Sequence, residues 1–277
     1  MSFIRTAALL GLLTGILLVI GFFWAGIQGM TIFFVFALAL NFFSYWYSDR
    51  IVLAIYRAKP ISKNEKPKLH EMVEKIADEM DIPKPKLYLV NLPILNAFAT
   101  GRSPKNAAVA VTTGLLKNLN SDEIEGVLSH ELSHVKNRDT LTSTIAATIA
   151  GAIAYIGQMA WWGSFGGERR QGGNAVLLPL IILAPLAATL IQLAISRTRE
   201  YAADKTGAIT SKKPLALASA LEKISKVASH YPLRGNAATS HLFIVNPFGG
   251  DALVNLFSTH PSVDSRIQRL KEIAKTI

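Results

Sequence analysis

Apolar positions along the chain fall into two regimes. Four long blocks carry no charged residue: Ala7 to Ile27, Met30 to Tyr47, Thr140 to Gly163 and Asn174 to Ser196. A helix needs about 20 mostly apolar residues to cross a bilayer. The blocks therefore predict four transmembrane helices in two hairpins, at about 7–27 with 30–47 and about 140–163 with 174–196. Elsewhere the periodicity is that of a soluble domain. Leu69, Met72, Val73, Ile76, Ala77 and Met80 lie at helical spacing before Pro83, which predicts an amphipathic helix. Three short apolar runs, 86–90, 96–100 and 107–112, are bounded by Pro, Asn or Gly and predict strands. The turn-rich connector at 101–106 makes the last two a hairpin.

Asn120 followed by Glu123 has the capping-box spacing, and Ile124, Val127, Leu128, Leu132 and Val135 mark the buried stripe of the helix it opens. Helical periodicity returns at 214–230 and 263–277, on either side of a loop over about 231–250, and there is no internal repeat. Ala147, Gly151 and Ala154 suit close contact with a neighbouring helix, and Pro179 and Pro185 are expected to kink the fourth span.

The first block follows Arg5, as in a signal peptide. It is longer than the roughly 7–15 apolar residues of such a segment and no polar cleavage region follows, so a retained helix is expected. The boundaries then divide the chain into a membrane hairpin (1–48), a first soluble part (49–139), a second hairpin (140–196) and a second soluble part (197–277).

The net charge of +10 would suit a nucleic-acid binder, but its placement gives a different account. Arg5, Arg50, Arg57, Lys59, Lys63, Lys136, Arg138, Arg197 and Arg199 all flank the same ends of the four blocks. By the positive-inside rule both termini and the soluble parts face the cytoplasm of a multi-pass plasma-membrane protein. Glu168-Arg169-Arg170, in the opposite loop, fits this topology less well. The partner this implies is the lipid bilayer, with no nucleic acid; no feature points to an oligomeric state. The chain has no cysteine, which removes thiol nucleophiles and thiolate metal sites. The spans contain no Asp, Glu, Lys, Arg or His, the usual marks of an ion path, which argues against a carrier.

Chemistry concentrates at His130-Glu131-Leu132-Ser133-His134. The pattern His-Glu-x-x-His places two imidazoles one turn apart on one helix face, able to share a metal, with a carboxylate beside them. Composition alone would produce it about 0.005 times in a chain like this one. An open catalytic zinc site takes three protein ligands. The extended motif with a third histidine fails, because Asn137 and Thr140 occupy its positions. Four glutamates follow: Glu168, Glu200, Glu222 and Glu272. A membrane hairpin returns the chain to the face it left, so Glu200 comes back near His134 while Glu168 lies across about 30 Å of hydrocarbon. Nothing places Glu222 or Glu272 near the histidines. The pair Arg199-Glu200 also fits a solvated juxtamembrane ion pair, but a third ligand is the better account. Asp204, one turn after Glu200, can orient a ligating histidine through its second ring nitrogen. The predicted site is one Zn²⁺ on His130, His134 and Glu200, with Glu131 as general base.

Arg199-Glu200-Tyr201-Ala202-Ala203-Asp204, the His130–His134 motif and four membrane helices together resemble the HtpX-type membrane zinc metalloproteases, relatives of the CAAX prenyl endopeptidases. The resemblance extends to Asn96-Ala97-Phe98-Ala99-Thr100-Gly101 and Thr259-His260-Pro261-Ser262. It implies an α-helical integral membrane protein with four spans and an α+β, gluzincin-like catalytic domain facing the cytoplasm. It also implies degradation of misfolded or damaged membrane proteins, and unfolded polypeptide generally. Asn96, Ala97, Phe98 and Ala99 would form the edge strand that receives substrate, and His260 would stabilise the oxyanion. By its residues alone His260 fits a loop-packing histidine before a helix start. Arg266 fits either an anchor for that loop or a surface salt bridge, and Asn96 also suits a turn. His70, His230 and His241 have no partner at ligand spacing. Rival functions are a processing protease dedicated to a few membrane substrates and a non-catalytic membrane zinc protein.

Overall fold

Strand alternation decides what covers each face of the sheet. In the computed structural model, which describes residues 2–143, 145, 197–230, 243–245 and 261–277, four strands form one sheet in the order β1-β2-β4-β3. They are β1 (Lys59–Pro60), β2 (Lys86–Val90), β3 (Ala97–Thr100) and β4 (Ala108–Thr112). β2 and β4 pair in parallel, whereas β1 with β2 and β3 with β4 pair antiparallel. Side chains point alternately to the two faces. Leu87, Ala97, Ala99, Val109 and Val111 enter the main core, while Val90, Phe98, Ala108 and Ala110 enter a smaller cluster on the other side.

Helices make the main core. α2 (Pro67–Glu79), α3 (Thr113–Asn118) and α4 (Ser121–Lys136) follow the strands in sequence or interleave with them. Beyond the second apolar hairpin come α5 (Arg197–Ser211), α6 (Pro214–His230) and α7 (Val263–Ile273). Val127, Leu128, Leu132 and Val135 of α4 are fully buried among Val73 and Ile76 of α2, Leu217 and Leu221 of α6 and Leu270 of α7. The capping box at the start of α4 forms as expected, with Asn120 Oδ1 accepting from the Glu123 amide and Glu123 Oε2 from the Asn120 amide, both at 2.9 Å. The same carboxylate accepts from Ser219 (2.7 Å) and Lys223 (2.8 Å), which ties α6 to the cap.

The opposite face of the sheet is covered by the end of α1 (Ser2–Ile55). This helix is broken at Ala25 and Gly26, whose backbone leaves the helical region (Gly26 φ 59). The two halves fold into a hairpin. Asn41 Nδ2 donates to Thr14 Oγ1 at 2.9 Å, and Leu13, Leu17 and Ala37 pack together with Leu141 and Ile145. The hairpin was expected, with its connection within 25–29; the turn lies at 25–26, where glycine tolerates a positive φ. The second half also runs past Tyr47 to Ile55 and buries Val52 and Leu53 against Val90, Phe98, Ala108 and Ala110.

Ala25–Tyr47 is long and apolar enough to cross a membrane, and Leu10–Phe23 is a shorter apolar helix. The second expected hairpin lies almost wholly outside the described residues, as does most of the loop at 231–250, so four spans are not shown. Among the soluble elements, β2 has the expected ends, β3 and β4 each start one residue late, and β1 and α3 were not foreseen. β1 has only two residues, too few to show an alternation.

Asn120→Ala removes the acceptor for the Glu123 amide. Loss of about 1 kcal/mol in denaturant unfolding, with an unchanged slope, is the expected outcome.

Candidate metal centre

α4 and α5 lie unusually close, and that approach builds the site. A Cβ placed on Gly207 of α5 would fall 2.9 Å from the backbone nitrogen of His130. Glu200, Asp204 and Gly207 share one face of α5, by the i, i+4, i+7 spacing of a helix. Packing at Gly207 therefore presses the two carboxylates against the His130–His134 face of α4.

The resulting geometry is that of a ligand set. His130 Nε2 and His134 Nε2 are 3.3 Å apart. Glu200 Oε1 lies 3.5 Å from His134 Nε2, and Glu200 Oε2 lies 3.7 Å from His130 Nε2. Zinc bound tetrahedrally at about 2.0–2.1 Å keeps its ligand atoms about 3.3 Å apart. The three side chains fit one such ion, and among the described residues they are the group of His, Asp and Glu so arranged. Of the other glutamates considered, Glu222 is paired with Lys226 on exposed helix surface and Glu272 is exposed. Glu168 lies outside the described residues.

Each histidine is oriented through its other ring nitrogen. His130 Nδ1 is 2.9 Å from Asp204 Oδ1, the role foreseen for that aspartate. His134 Nδ1 is 3.5 Å from Asp139 Oδ2, a partner that sequence reasoning missed. Asp139 reaches it because Arg138 adopts a left-handed conformation (φ 59) that reverses the chain after α4, with the Asp139 amide donating to the His134 carbonyl at 2.9 Å. A carboxylate just past the end of α4 was the available signal.

Arg266 of α7 sits beneath this group with no exposed surface. Its Nε and Nη2 donate to the two Asp204 oxygens at 2.8 and 2.7 Å, and its Nη1 donates to the Ile244 carbonyl at 3.1 Å and lies 3.6 Å from Glu200 Oε2. The ion-pair alternative for Arg266 thus holds in the interior rather than on a surface, while residues 246–260, which contain the His260 loop it was expected to anchor, lie outside the described residues. Burial alone would raise the Asp204 carboxyl; the Arg266 charge outweighs it and holds Asp204 down at about 2.

Glu131 is buried beside the histidines, and its Oε2 accepts from the Ala99 amide of β3 at 2.9 Å. Desolvation is the larger influence and moves its carboxyl above the ordinary range, helped by the Glu200 charge. β3 is the last strand of the sheet, and Ala99 presents its backbone amide to Glu131. The side chains of Asn96 and Phe98 point elsewhere. Phe98 is 4% exposed and packs on Tyr56, with ring centroids 5.3 Å apart. Asn96 Oδ1 accepts from the Ile244 amide at 3.0 Å, so its amide side chain holds the 243–245 segment instead of facing a cleft. His260, His230's side chain and His241 lie outside the described residues, and His70 bonds the Ile61 carbonyl at 3.0 Å, far in sequence from the site.

The profile of Peptidase family M48 matches residues 63–274, more than half the chain. The chain belongs to this family. It is similar over nearly its full length to Protease HtpX homologs, at 57% identity to that of Pyrococcus furiosus (98% of this chain, 96% of the relative) and 54% to that of Thermococcus sibiricus (99% and 97%). Its fold matches the crystal structure of S. mikatae Ste24p with a TM-score of 0.52 at 19% identity, over 97% of this chain but only 65% of Ste24p. At that identity the likeness is one of fold. Membership makes this M48 chain a metalloprotease, and the family's metal is accommodated by the cluster of His130, His134 and Glu200.

Two outcomes follow for metal binding. Gly207→Ala forces α5 away from the His130 backbone, and competition with a chromogenic chelator is expected to show metal affinity reduced about 10–100-fold. Burial works against a proton on His134, but the hydrogen bond to Asp139 and the charges of Glu200 and Glu131 win and raise it to about 9. In the metal-free protein this protonation stabilises the fold fully below 6.5 and is lost as pH rises through about 9. Metal binding must displace that proton, so affinity runs the opposite way. Calorimetry in buffers of different ionisation enthalpy should show release of about one proton near pH 7 and affinity climbing with pH up to about 9.

Proposed function

We propose that this protein is a multi-pass membrane zinc endopeptidase that hydrolyses misfolded or damaged membrane proteins on the cytoplasmic side of the plasma membrane. The observation that carries the peptidase chemistry is the position of Glu131. Its carboxylate lies where the histidine–glutamate cluster meets the backbone of the terminal strand β3. The charge-free blocks, the apolar span Ala25–Tyr47 and the basic residues flanking those blocks support the membrane setting and the orientation.

His130, His134 and Glu200 would hold the ion. Zinc in such a site supplies Lewis acidity, which lowers the pKa of water and polarises a carbonyl. The protein's own groups do the rest. An extended substrate adds to β3, where main-chain hydrogen bonds give affinity that does not depend on sequence. That suits unfolded polypeptide of varied composition. Glu131, its carboxyl raised by burial, accepts a proton from the attacking water on its carboxylate and returns it to the departing amine. The Ala99 amide holds Glu131 Oε2 and so fixes the carboxylate against the substrate strand. Asp204 and Asp139 keep Nδ1 of each imidazole engaged, so that Nε2 of each faces the ion. Arg266 compensates the buried negative charge of Asp204 and Glu200. His260 is assigned to oxyanion stabilisation by family resemblance.

Glu131→Gln keeps the shape and the metal ligands but cannot take a proton. Metal content of the purified variant is expected to equal wild type, while cleavage of an unfolded protein falls about 10²–10⁴-fold. Full activity in that variant would overturn the assignment. Many dispersed cut sites in an unfolded membrane protein would support the quality-control role, and a single site would favour dedicated processing.

A further inference from the structure

The second half of α1 passes without a break from Ala25–Tyr47, the apolar span, to Ile55 under the sheet. Where the span ends it carries a girdle of aromatic residues: Phe42, Phe43, Trp46 and Tyr47 are 40–55% exposed. Such girdles mark the bilayer–water boundary. From Tyr47 to Leu53, which is buried against the sheet, six residues of helix rise about 9 Å. The sheet therefore stands on a helical strut of fixed length.

A second connection reaches the same boundary from the site. β3 runs from Ala97, past Ala99 with its bond to Glu131, to Gly101 and Arg102. The Arg102 guanidinium stacks on the Trp46 ring, 4.1 Å from its centroid. Beside it the Gly101 carbonyl accepts from Thr140 Oγ1 at 3.0 Å, at the entry to the next apolar block, and Thr140 is 4% exposed. Gly101 has φ 128 and the backbone of Asn106 and Ala107 against it, so the chain turns there in a way only glycine permits. Because the chain turns at Gly101, Ala99 to Arg102 covers less than the roughly 10 Å that three extended residues would span. This second route is compatible with the height set by the helical strut.

We infer that the Arg102–Trp46 stack and the Gly101–Thr140 bond brace the substrate strand at a fixed height of about 10 Å above the bilayer surface. In consequence, a bilayer-anchored polypeptide is cut only where at least about three extended residues separate the scissile bond from the membrane boundary. Free unfolded polypeptide meets no such limit. Arg102 and Trp46 are positioning residues: neither reaches the reacting groups, and their effect is on which bond of an anchored chain comes to Glu131. This inference deepens the proposed activity toward membrane proteins and rests on it.

The test uses the full-length zinc-loaded protein in phosphatidylcholine–phosphatidylglycerol vesicles. Single-span substrates carry one cleavable unstructured tract placed at spacers from none to about eight residues beyond the span; the same tract is also supplied as a free peptide. Wild type is expected to cut the free peptide at every condition and the anchored series only from a spacer of about three residues, with at least about a tenfold step in rate at that threshold. Arg102→Ala and Trp46→Ala should cut the free peptide at the wild-type rate yet lose the sharp step, cutting the shortest spacers as well. Arg102→Lys keeps a cation over the ring and should keep the step. A wild type without a threshold, or alanine variants with the wild-type threshold, would overturn the brace. Failure of wild type on the free peptide would instead overturn the peptidase reading beneath it.

Discussion

Four carboxylates, Glu131, Asp139, Glu200 and Asp204, are buried within one small region, and the structure depends on the charges set against them. Uncompensated, each would cost several kcal/mol on leaving water. Arg199 Nη1 lies 3.6 Å from Asp139 Oδ1, and Arg266 answers for Asp204 and Glu200. Its planar guanidinium grips both oxygens of Asp204, approaches Glu200 and reaches the backbone at Ile244, all with no exposure to solvent. A lysine, with one compact charge and no fork, would satisfy fewer of these partners. The two histidines lie against the same carboxylates and complete the cluster. Such a cluster is costly to fold and rigid once formed, which suits ligands that must be held in place before an ion arrives.

Rigidity spreads outward from this centre along named contacts. Asp204 fixes His130, Asp139 fixes His134 and the Ala99 amide fixes Glu131, so each working side chain has a second group that settles its orientation. Arg266 and Asn96 hold the Ile244 backbone from its two sides, one at the carbonyl and one at the amide. The same sheet that delivers Ala99 rests through Val52 and Leu53 on the helix leading to the apolar span. A continuous helix thus joins the apolar span to the sheet.

Much of this was legible in the residues. The His130–His134 motif announced itself because its spacing equals one helical turn, and the cap at Asn120 and Glu123 located the helix that carries it. Asp204 as a histidine-orienting group followed from its place one turn beyond Glu200, and the structure puts it 2.9 Å from the ring. Harder to see were partners that come from turns. Asp139 needs the left-handed Arg138, and a single non-glycine positive φ has no sequence signature of its own. Asn96 was placed on the strand that receives substrate, and nothing local announced that its side chain meets Ile244, 148 residues away. Phe98 was assigned with its neighbours to the substrate strand, yet strand alternation sends its ring to the opposite face.

Local periodicity and spacing, which depend only on neighbouring residues along one helix or strand, determined the apolar blocks, three of the four strands, the helix of the two histidines and those histidines as candidate metal ligands. How closely Glu200 and Asp204 approach those histidines, and which arginine neutralises them, depended on contacts between α4, α5 and α7 across up to 136 residues of chain. Those contacts are set by the close approach at Gly207 and by the charge balance of a buried cluster. Neither quantity exists until the helices are packed, so only the tertiary structure could decide them.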